Sequence, residues 1–200
     1  MFPEIKEQLT RRRLLWIMPA AFAGVAAVWS RRGDKSEASG TGQEVSIVQF
    51  DDAGKKLETT RVKKVVYSDA EWRKLLSSEQ YYVTRHASTD TAFTGTYYQL
   101  HDPGLFRCIC CANALFSSEA KFDSGTGWPS FWAPIAEQNI RERSDVSLMM
   151  QRVEALCARC DAHLGHVFDD GPPPTNLRYC INESSLRFIP HQQPATSNRF

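Results

Sequence analysis

Alternating apolar and polar residues predict that most of the folded chain consists of short β-strands. Residues 44–50 alternate in this way and run directly into the turn sequence Asp51-Asp52-Ala53-Gly54. The pattern predicts a strand that enters a hairpin, with the return strand at residues 63–67. The same signal predicts further strands at residues 95–100, 105–108, 114–116, 135–141, 146–153, 154–156, 165–168 and 177–181. Residues 184–188 are predicted to form either a last strand or a helical turn.

Two short helical segments are predicted between the hairpin and the later strands. Ser68 is followed three residues later by Glu71, a capping-box pattern that opens a helix through Leu76. A second short helical turn is predicted near Ser78 to Tyr81. Because the remaining elements are strands and turns, the chain is predicted to be mainly β.

The first thirty residues have a different character from the rest of the chain. An apolar run at residues 14–29 has no polar face, and three arginines at residues 11–13 precede it. A basic segment before an apolar run is typical of an export signal, and the paired arginines before Leu-Leu resemble a twin-arginine signal. We therefore expect export to the periplasm, or anchoring in the inner membrane facing the periplasm; whether the signal is cleaved stays open.

Composition changes divide the chain into five parts. These are an export signal or membrane anchor at 1–30, a flexible tether at 31–43, a β extension at 44–67, a main domain at 68–190 and a C-terminal tail at 191–200. The 200 residues carry a net charge of +1, which gives no general attraction to nucleic acid. Membrane contact is expected only through the N-terminal segment, and we expect a monomer.

Six cysteines provide the clearest chemical signal in the sequence. Four of them form two C-x-x-C pairs, Cys108 with Cys111 and Cys157 with Cys160. Two such pairs can close a tetrahedral site for a structural Zn²⁺ ion, and they staple a fold poorly as disulfides. Structural disulfides remain the alternative. Cys110 and Cys180 lie outside this set of four.

Cys180 has neighbours that suit a reactive thiol. On a strand, alternate residues share a face, so Arg178, Cys180 and Asn182 should project together. A nearby guanidinium favours the thiolate, which is the nucleophilic form of cysteine. The alternative is a buried structural cysteine, a common fate for a free thiol.

Two other motifs favour catalysis over a structural role. His163 and His166 follow the second C-x-x-C pair, and histidine can donate a proton near neutral pH. Zinc ligation is the alternative for these histidines, but four thiolates already complete a tetrahedron. Trp128 belongs to an aromatic turn, which is either core or a wall for a small apolar group.

Several motifs together resemble the B-type peptide-methionine sulfoxide reductases. The resemblance covers about residues 68–190, with the motifs in the family's order. The matching runs are residues 82–85, 93–98, 115–116, 121–131, 163–168 and 178–182.

This resemblance implies a fold, an activity and roles for individual residues. The fold is an Mss4-like β-tent of two antiparallel β-sheets with short flanking helices and a structural Cys₄ zinc site. The activity is reduction of the R epimer of methionine sulfoxide, in peptides or proteins, through a sulfenic acid on Cys180. His163, His166 and Asn182 match residues that polarise and protonate the sulfoxide oxygen. Arg178 matches a residue that supports the thiolate.

The resemblance also assigns the aromatic wall and the metal ligands. Trp128 matches the residue that receives the methyl group of the substrate. The family's zinc ligands match Cys108, Cys111, Cys157 and Cys160.

Thr126 departs from the family pattern, because many members carry a resolving cysteine at this position. The usual disulfide with the nucleophile therefore cannot form. Cys110 is the spare thiol, but it lies inside a zinc knuckle. We expect an external thiol, thioredoxin-like or smaller, to reduce the Cys180 sulfenic acid, with Cys110 as the alternative resolving cysteine.

Two other functions share parts of this sequence pattern. A non-catalytic zinc-ribbon binding module would use the same C-x-x-C pairs. A thiol–disulfide oxidoreductase would cycle those pairs between redox states. The binding module gives no reason for Arg178, Cys180 and Asn182 to align beside paired histidines, and the oxidoreductase predicts that chelation leaves activity intact.

Overall fold

The computed structural model describes residues 42–146 and 151–191, in which all strand pairs are antiparallel. The strands are β1 (Glu44–Phe50), β2 (Lys56–Lys63), β3 (Gly104–Cys108), β4 (Ala114–Ser117), β5 (Lys121–Phe122), β6 (Ser130–Phe131), β7 (Ile140–Asp145), β8 (Arg152–Cys157), β9 (His163–Phe168), β10 (Arg178–Ile181) and β11 (Leu186–Pro190). The helices are α1 (Asp69–Leu75) and α2 (Ser78–His86), with 3-10 turns at Ser118–Ala120, Glu137–Asn139 and Glu183–Ser185.

Two sheets form the body of the described structure. One has six strands in the order β5-β6-β10-β9-β8-β7, and the other has three strands in the order β11-β3-β4. The predicted class, mainly β with two antiparallel sheets and short flanking helices, is confirmed. The hairpin of β1 and β2 forms an additional two-stranded sheet.

Aromatic side chains fill the space between the two larger sheets. Phe116 from β4 stacks on Phe131 from β6 with ring centroids 4.3 Å apart. Phe106 meets Phe131 edge to face at 5.0 Å. Each fully buried aromatic side chain contributes roughly 1.5–3 kcal/mol. Tyr179 and Ile181 also point into this core, so alternation along β10 turns Cys180 toward the opposite face.

Both helices begin at capping boxes. The Ser68 hydroxyl accepts the Glu71 backbone N–H while the Glu71 carboxylate accepts the Ser68 backbone N–H, as the sequence predicted. Ser77 and Gln80 form the same arrangement at the start of α2. The second helix begins at Ser78, as predicted, and it is longer than the predicted turn because it continues to His86.

Two predicted strands are wrong, and local hydrogen bonds explain both. The return strand of the hairpin is β2 rather than residues 63–67. The Asp51 carboxylate accepts the backbone N–H groups of Ala53 and Lys55, which reverses the chain at once. Residues 95–100 form turns instead of a strand, because the Glu183 carboxylate accepts the backbone N–H groups of Thr96 and Tyr97.

Other predicted boundaries shift by a few residues. The strand predicted at 135–141 begins only at Ile140, after the 3-10 turn Glu137–Asn139. The strand predicted at 146–153 lies partly outside the described residues, and its described end belongs to β8. The predicted export signal at 1–30, most of the tether and nearly all of the tail also lie outside them. No helix in the described ranges is long and apolar enough to cross a membrane.

Candidate active site and metal centre

Two similar turns bring the four C-x-x-C cysteines together. The first joins β3 to β4, where the Ala112 N–H donates to the Cys108 carbonyl at 2.9 Å. The second joins β8 to β9, where the Asp161 N–H donates to the Cys157 carbonyl at 2.9 Å. Ala112 and Asp161 both adopt a left-handed backbone, with φ of 59° and 54°. The repeated geometry aims each pair of thiols at the same point between the sheets.

The four sulfur atoms have the separations that a tetrahedral metal site requires. All lie within 4.8 Å of one another. Cys108 Sγ is 3.6 Å from Cys160 Sγ, and Cys111 Sγ is 3.5 Å from Cys157 Sγ. Tetrahedral thiolates at bonds of about 2.3 Å would lie ~3.8 Å apart. The four cysteines therefore fit a metal ion, and the predicted grouping of ligands is confirmed as a cluster.

Cys110 lies beside the metal centre rather than beside Cys180. Its thiol neighbours the thiols of Cys108 and Cys160, and it also lies near Thr84 and Arg85 of α2. Its backbone belongs to the first knuckle. The side chain is half-buried.

The second cluster surrounds a small pocket of about 160 Å³ on the outer face of the six-stranded sheet. It contains four of the predicted site residues, namely Trp128, His166, Cys180 and Asn182. Four further residues complete the lining, namely Thr89, Arg152, Gly165 and Phe168. Cys180 is the thiol of this pocket, and it lies on strand β10 near the middle of the sheet.

The neighbours of Cys180 follow from strand register. His166 on β9 and Ser130 on β6 are its cross-strand partners. Strands β9 and β10 approach closely at Gly165, where an added Cβ would lie 2.0 Å from the Cys180 carbonyl oxygen. Any side chain at residue 165 would collide with β10, so glycine at this position allows the two strands that line the pocket to pair.

The protonation of Cys180 differs from the expectation that the nearby Arg178 guanidinium favours its thiolate. Burial raises the pKa of its thiol above the ordinary value, while the Arg178 guanidinium and the Thr126 hydroxyl lower it. Arg178 acts in the predicted direction, but burial outweighs it. Without substrate, the thiol form is therefore favoured at neutral pH.

Arg178 is held beside the pocket by two contacts. Its Nε and Nη2 donate to the Asp170 carboxylate at 2.8 and 2.9 Å. Its guanidinium also lies 4.3 Å from the centre of the Phe168 ring. This pairing raises the pKa of Arg178 and lowers the pKa of Asp170. The cation is thus fixed near Cys180 rather than free to bind substrate.

His163 lies behind His166 in the interior of the sheet. The two rings are 5.4 Å apart, and His163 is almost fully buried. Its Nδ1 lies 2.7 Å from Oε1 of the buried Glu154, whose other oxygen accepts from Arg143 at 2.6 Å. Burial lowers the pKa of His163 despite the opposing effect of Glu154. A neutral His163 then donates from Nδ1, which leaves Nε2 as an acceptor.

His166 has a parallel set of partners. Its Nε2 lies 2.9 Å from Oδ2 of Asp145, which also accepts from Arg152 at 2.8 Å. Both histidines are thus oriented by a carboxylate that an arginine holds. They differ in exposure to the site, because His166 lines the pocket.

Trp128 and Asn182 are joined through the loop after α2. The indole N–H of Trp128 donates to the Asp90 carbonyl at 3.0 Å. The side-chain oxygen Oδ1 of Asn182 accepts the Asp90 backbone N–H at 2.9 Å, and its side-chain nitrogen Nδ2 donates to the Leu164 carbonyl at 3.1 Å. Both side chains therefore also fix the rim of the pocket.

Sequence reasoning missed the groups that orient the predicted residues. Glu154, Asp145 and Asp170 hold the two histidines and Arg178. Alternation along β8 places Arg152 and Glu154 on one face, but the pairing of β8 with β9 is not visible in the sequence. The sequence distinguishes Thr126 only as the position of an absent cysteine, whereas the structure places its hydroxyl 4.0 Å from Cys180 Sγ.

Comparison with known families covers the same part of the chain. The SelR domain matches residues 76–190, which include the metal centre and the pocket. The chain belongs to the SelR family. The hairpin of β1 and β2 precedes the matched residues, so it lies outside the SelR domain.

Curated relatives of this SelR-family chain include bacterial and plant proteins. It is 58% identical over 125 residues to "Peptide methionine sulfoxide reductase MsrB" of Hahella chejuensis, covering 62% of this chain and 90% of that protein. It is 58% identical over 123 residues to the protein of that name from Thiobacillus denitrificans, covering 62% and 93%. It is also 56% identical over 121 residues to "Peptide methionine sulfoxide reductase B1, chloroplastic" of Oryza sativa, covering 60% and 56%.

Proposed function

We propose that this SelR-family chain is a peptide-methionine (R)-S-oxide reductase with Cys180 as its nucleophile. The observation that carries the proposal is the pocket in which Cys180, His166, Asn182 and Trp128 converge. The names of its relatives support peptide methionine sulfoxide as substrate. The metal-binding thiols lie in a different cluster, so Cys180 remains available for chemistry.

The reaction balances as a transfer of one oxygen atom. Sγ of Cys180 attacks the sulfoxide sulfur and forms a transient sulfur–sulfur bond. The oxygen then moves to Sγ as the sulfur–oxygen bond of the substrate and the transient sulfur–sulfur bond break, so methionine leaves and Cys180 carries a sulfenic acid. Methionine sulfur is reduced by two electrons, and the cysteine sulfur is oxidised by two. The thiol proton and the sulfenic acid proton balance, so no other oxidant or reductant is consumed in this step.

The pocket residues divide the work of binding and proton transfer. Trp128 and Phe168 supply an apolar wall for the methyl group of the substrate. In its protonated form, His166 donates from Nε2 to the Asp145 carboxylate and can donate from its other ring nitrogen to the sulfoxide oxygen. His163, which lies behind His166, assists this proton transfer through hydrogen bonds or a water molecule.

An external thiol completes the cycle. It attacks the sulfenic acid and releases water, and a second thiol restores Cys180 and leaves as a disulfide. Thr126 provides no thiol near the nucleophile, and Cys110 is tied to the knuckle. These placements support a thioredoxin-like protein or a smaller thiol over internal resolution by Cys110.

Zinc is the metal that best suits the four-cysteine centre. Four thiolates and no open position are typical of structural Zn²⁺ sites. Bound zinc would hold the three-stranded and six-stranded sheets together through Cys108 and Cys157, which end β3 and β8. Binding to such sites is coupled to folding. A strong chelator should therefore release one zinc per chain and abolish the cooperative melting transition; a folded metal-free protein with unchanged melting would refute this role.

Export places this activity in the periplasm. The arginines at residues 11–13 and the apolar run at 14–29 support the twin-arginine route. A chain that binds zinc before export would avoid disulfide formation among its thiols. A reporter fused to residues 1–43 should reach the periplasm only when the twin-arginine system is intact, and export without that system would contradict the proposal.

Turnover of separated epimers tests the proposed function. The full-length protein with dithiothreitol should convert a peptide containing R-methionine sulfoxide and leave the S epimer unchanged. C180S should lose conversion entirely, whereas C110S should retain it. A wild-type protein that converts neither epimer would favour the binding module, and activity surviving in C180S would favour the oxidoreductase.

A further inference from the structure

Thr126 is held in a fixed loop beside the nucleophile. It lies between Gly125 and Gly127, both of which adopt left-handed backbone with φ of 69° and 86°. At Gly127, an added Cβ would lie 2.7 Å from the Phe93 ring. The Gly125 N–H donates to the Asp123 carboxylate at 2.9 Å, and the Gly127 carbonyl accepts from the Phe93 N–H at 3.0 Å. The loop therefore has little freedom to move Thr126 away.

Three hydroxyl groups form a continuous chain that ends at Cys180. Oγ1 of Thr126 lies 4.0 Å from Sγ of Cys180 and 2.8 Å from Oγ of Ser124. Oγ of Ser124 lies 2.8 Å from Oγ of the fully buried Ser130. The Ser130 hydroxyl can also donate to the Trp128 carbonyl at 3.2 Å. The chain thus joins the nucleophile to a carbonyl acceptor at its far end.

The chain can satisfy Cys180 in each of its chemical states. A thiolate only accepts, so Thr126 donates to it, Ser124 donates to Thr126, and Ser130 donates to Ser124. A thiol or a sulfenic acid can donate to Thr126 instead. Every bond then reverses, and Ser130 donates to the Trp128 carbonyl. Both directions leave each hydroxyl with a partner, because hydroxyls donate and accept equally well.

We infer that Thr126 is a catalytic residue whose hydroxyl stabilises the Cys180 thiolate for attack and then accepts a hydrogen bond from the sulfenic acid. The inference rests on the proposed function for the second of these roles. Thr126 lies on the same side of β10 as Arg178. Both groups lower the pKa of the Cys180 thiol, which burial raises. Where a resolving cysteine would consume the sulfenic acid, Thr126 instead preserves it for an external thiol.

Alkylation of Cys180 tests the first role without any substrate. The zinc-loaded full-length protein would be treated with iodoacetamide across a range of pH, and the tryptic peptide 179–187 would be quantified by mass spectrometry. A hydrogen bond to a charged group changes an equilibrium by about tenfold or more, and the 4.0 Å separation of Thr126 Oγ1 from Cys180 Sγ sets the expected effect at or below the low end of that range. T126V should therefore raise the midpoint pH by about 0.5–1 unit and slow alkylation at pH 7 by about three- to tenfold. T126S, which keeps the hydroxyl, should stay within about twofold of the wild type.

Further variants separate this effect from a general loss of structure. T59V makes the same replacement on the exposed face of β2 and should leave the midpoint unchanged. S124A removes the group that donates to Thr126 but leaves its hydroxyl, so we expect a smaller upward shift than in T126V. Equal midpoints for T126V and the wild type would overturn the first role, whether or not melting temperatures change.

Single-turnover reduction of R-methionine sulfoxide tests the second role. After one turnover without thiol, dimedone labelling should show a sulfenic acid on peptide 179–187 that decays several-fold faster in T126V than in the wild type or T126S. Equal lifetimes would overturn this role. If the wild type fails to consume the sulfoxide at all, the proposed function fails, and the alkylation result still decides whether Thr126 stabilises the thiolate.

Discussion

Glu154 should contribute to stability mainly through His163, and replacing it in two ways isolates that contact. Its carboxylate accepts from Nδ1 of His163 at 2.7 Å and from two nitrogens of Arg143 at 2.9 and 2.6 Å. E154A removes every acceptor. E154Q keeps an amide oxygen that can still accept from His163.

The exposure of the two partners sets the expected magnitudes. The Arg143 side chain is 59% exposed, so solvent screens its ion pair and the loss is worth about 0–1 kcal/mol. The His163 and Glu154 side chains are only 3% and 5% exposed. Leaving the buried Nδ1–H of His163 without an acceptor costs about 1–3 kcal/mol. E154A should therefore lower the free energy of unfolding by about 1–4 kcal/mol, and E154Q by only about 0–1 kcal/mol.

Urea unfolding of the zinc-loaded protein measures both changes, and turnover of the R epimer supplies a functional readout. E154A should also lower kcat by tenfold or more, because His163 is no longer fixed as the Nδ1–H tautomer. R143A serves as the control, with a loss of about 1 kcal/mol or less. Equal destabilisation by E154A and E154Q would refute the reasoning, since it would show that the contact with His163 carries no weight.

Three other changes have definite expected outcomes. Burial lowers the pKa of His163 in the folded protein, so the unfolded chain binds a proton at this residue first as pH falls. The free energy of unfolding should therefore decline below about pH 6.5 by up to ~1.4 kcal/mol per pH unit. H163N should flatten this decline in urea unfolding measured across pH, and an unchanged slope would contradict a buried neutral His163. Asn139 accepts from the Val48 N–H at 2.8 Å and donates to the Val48 and Ala114 carbonyls at 2.9 and 2.8 Å. N139A should therefore lower the free energy of unfolding by about 3 kcal/mol or more. Q138A, which changes an exposed neighbour, serves as the control and should cause no measurable change. R178M should remove the cation that lowers the pKa of the Cys180 thiol and should therefore slow Cys180 alkylation at neutral pH. A rate equal to the wild type would contradict that role of Arg178.

Local sequence signals predicted much of the fold. The Ser68 capping box, the first strand and the two C-x-x-C turns all depend on residues within a few positions of one another. The prediction of the return strand was wrong because the Asp51 carboxylate accepts two backbone N–H groups and closes a tight turn. Alternation of apolar and polar residues does not reveal this turn. The turns at residues 95–100 depend on Glu183, which is distant in sequence.

The candidate site shows the same division between local and distant information. Alternation along one strand correctly separates Cys180 from Tyr179 and Ile181, so the face on which Cys180 lies was predictable. The partners of His163 and His166 come from β7 and β8, and strand register determines them. The protonation of Cys180 also depends on distant packing, because burial outweighs the favourable charge of Arg178.

Mass spectrometry of Cys180 after a single turnover gives the most direct test of its role as nucleophile. The full-length zinc-loaded protein would receive one equivalent of R-methionine sulfoxide peptide without any reducing thiol, followed by dimedone. One equivalent of methionine peptide and a dimedone adduct on residues 179–187 are expected, with the S epimer as the matched control. A dimedone adduct on the cysteines of the metal centre, or methionine formed while Cys180 stays an unmodified thiol, would contradict Cys180 as the nucleophile.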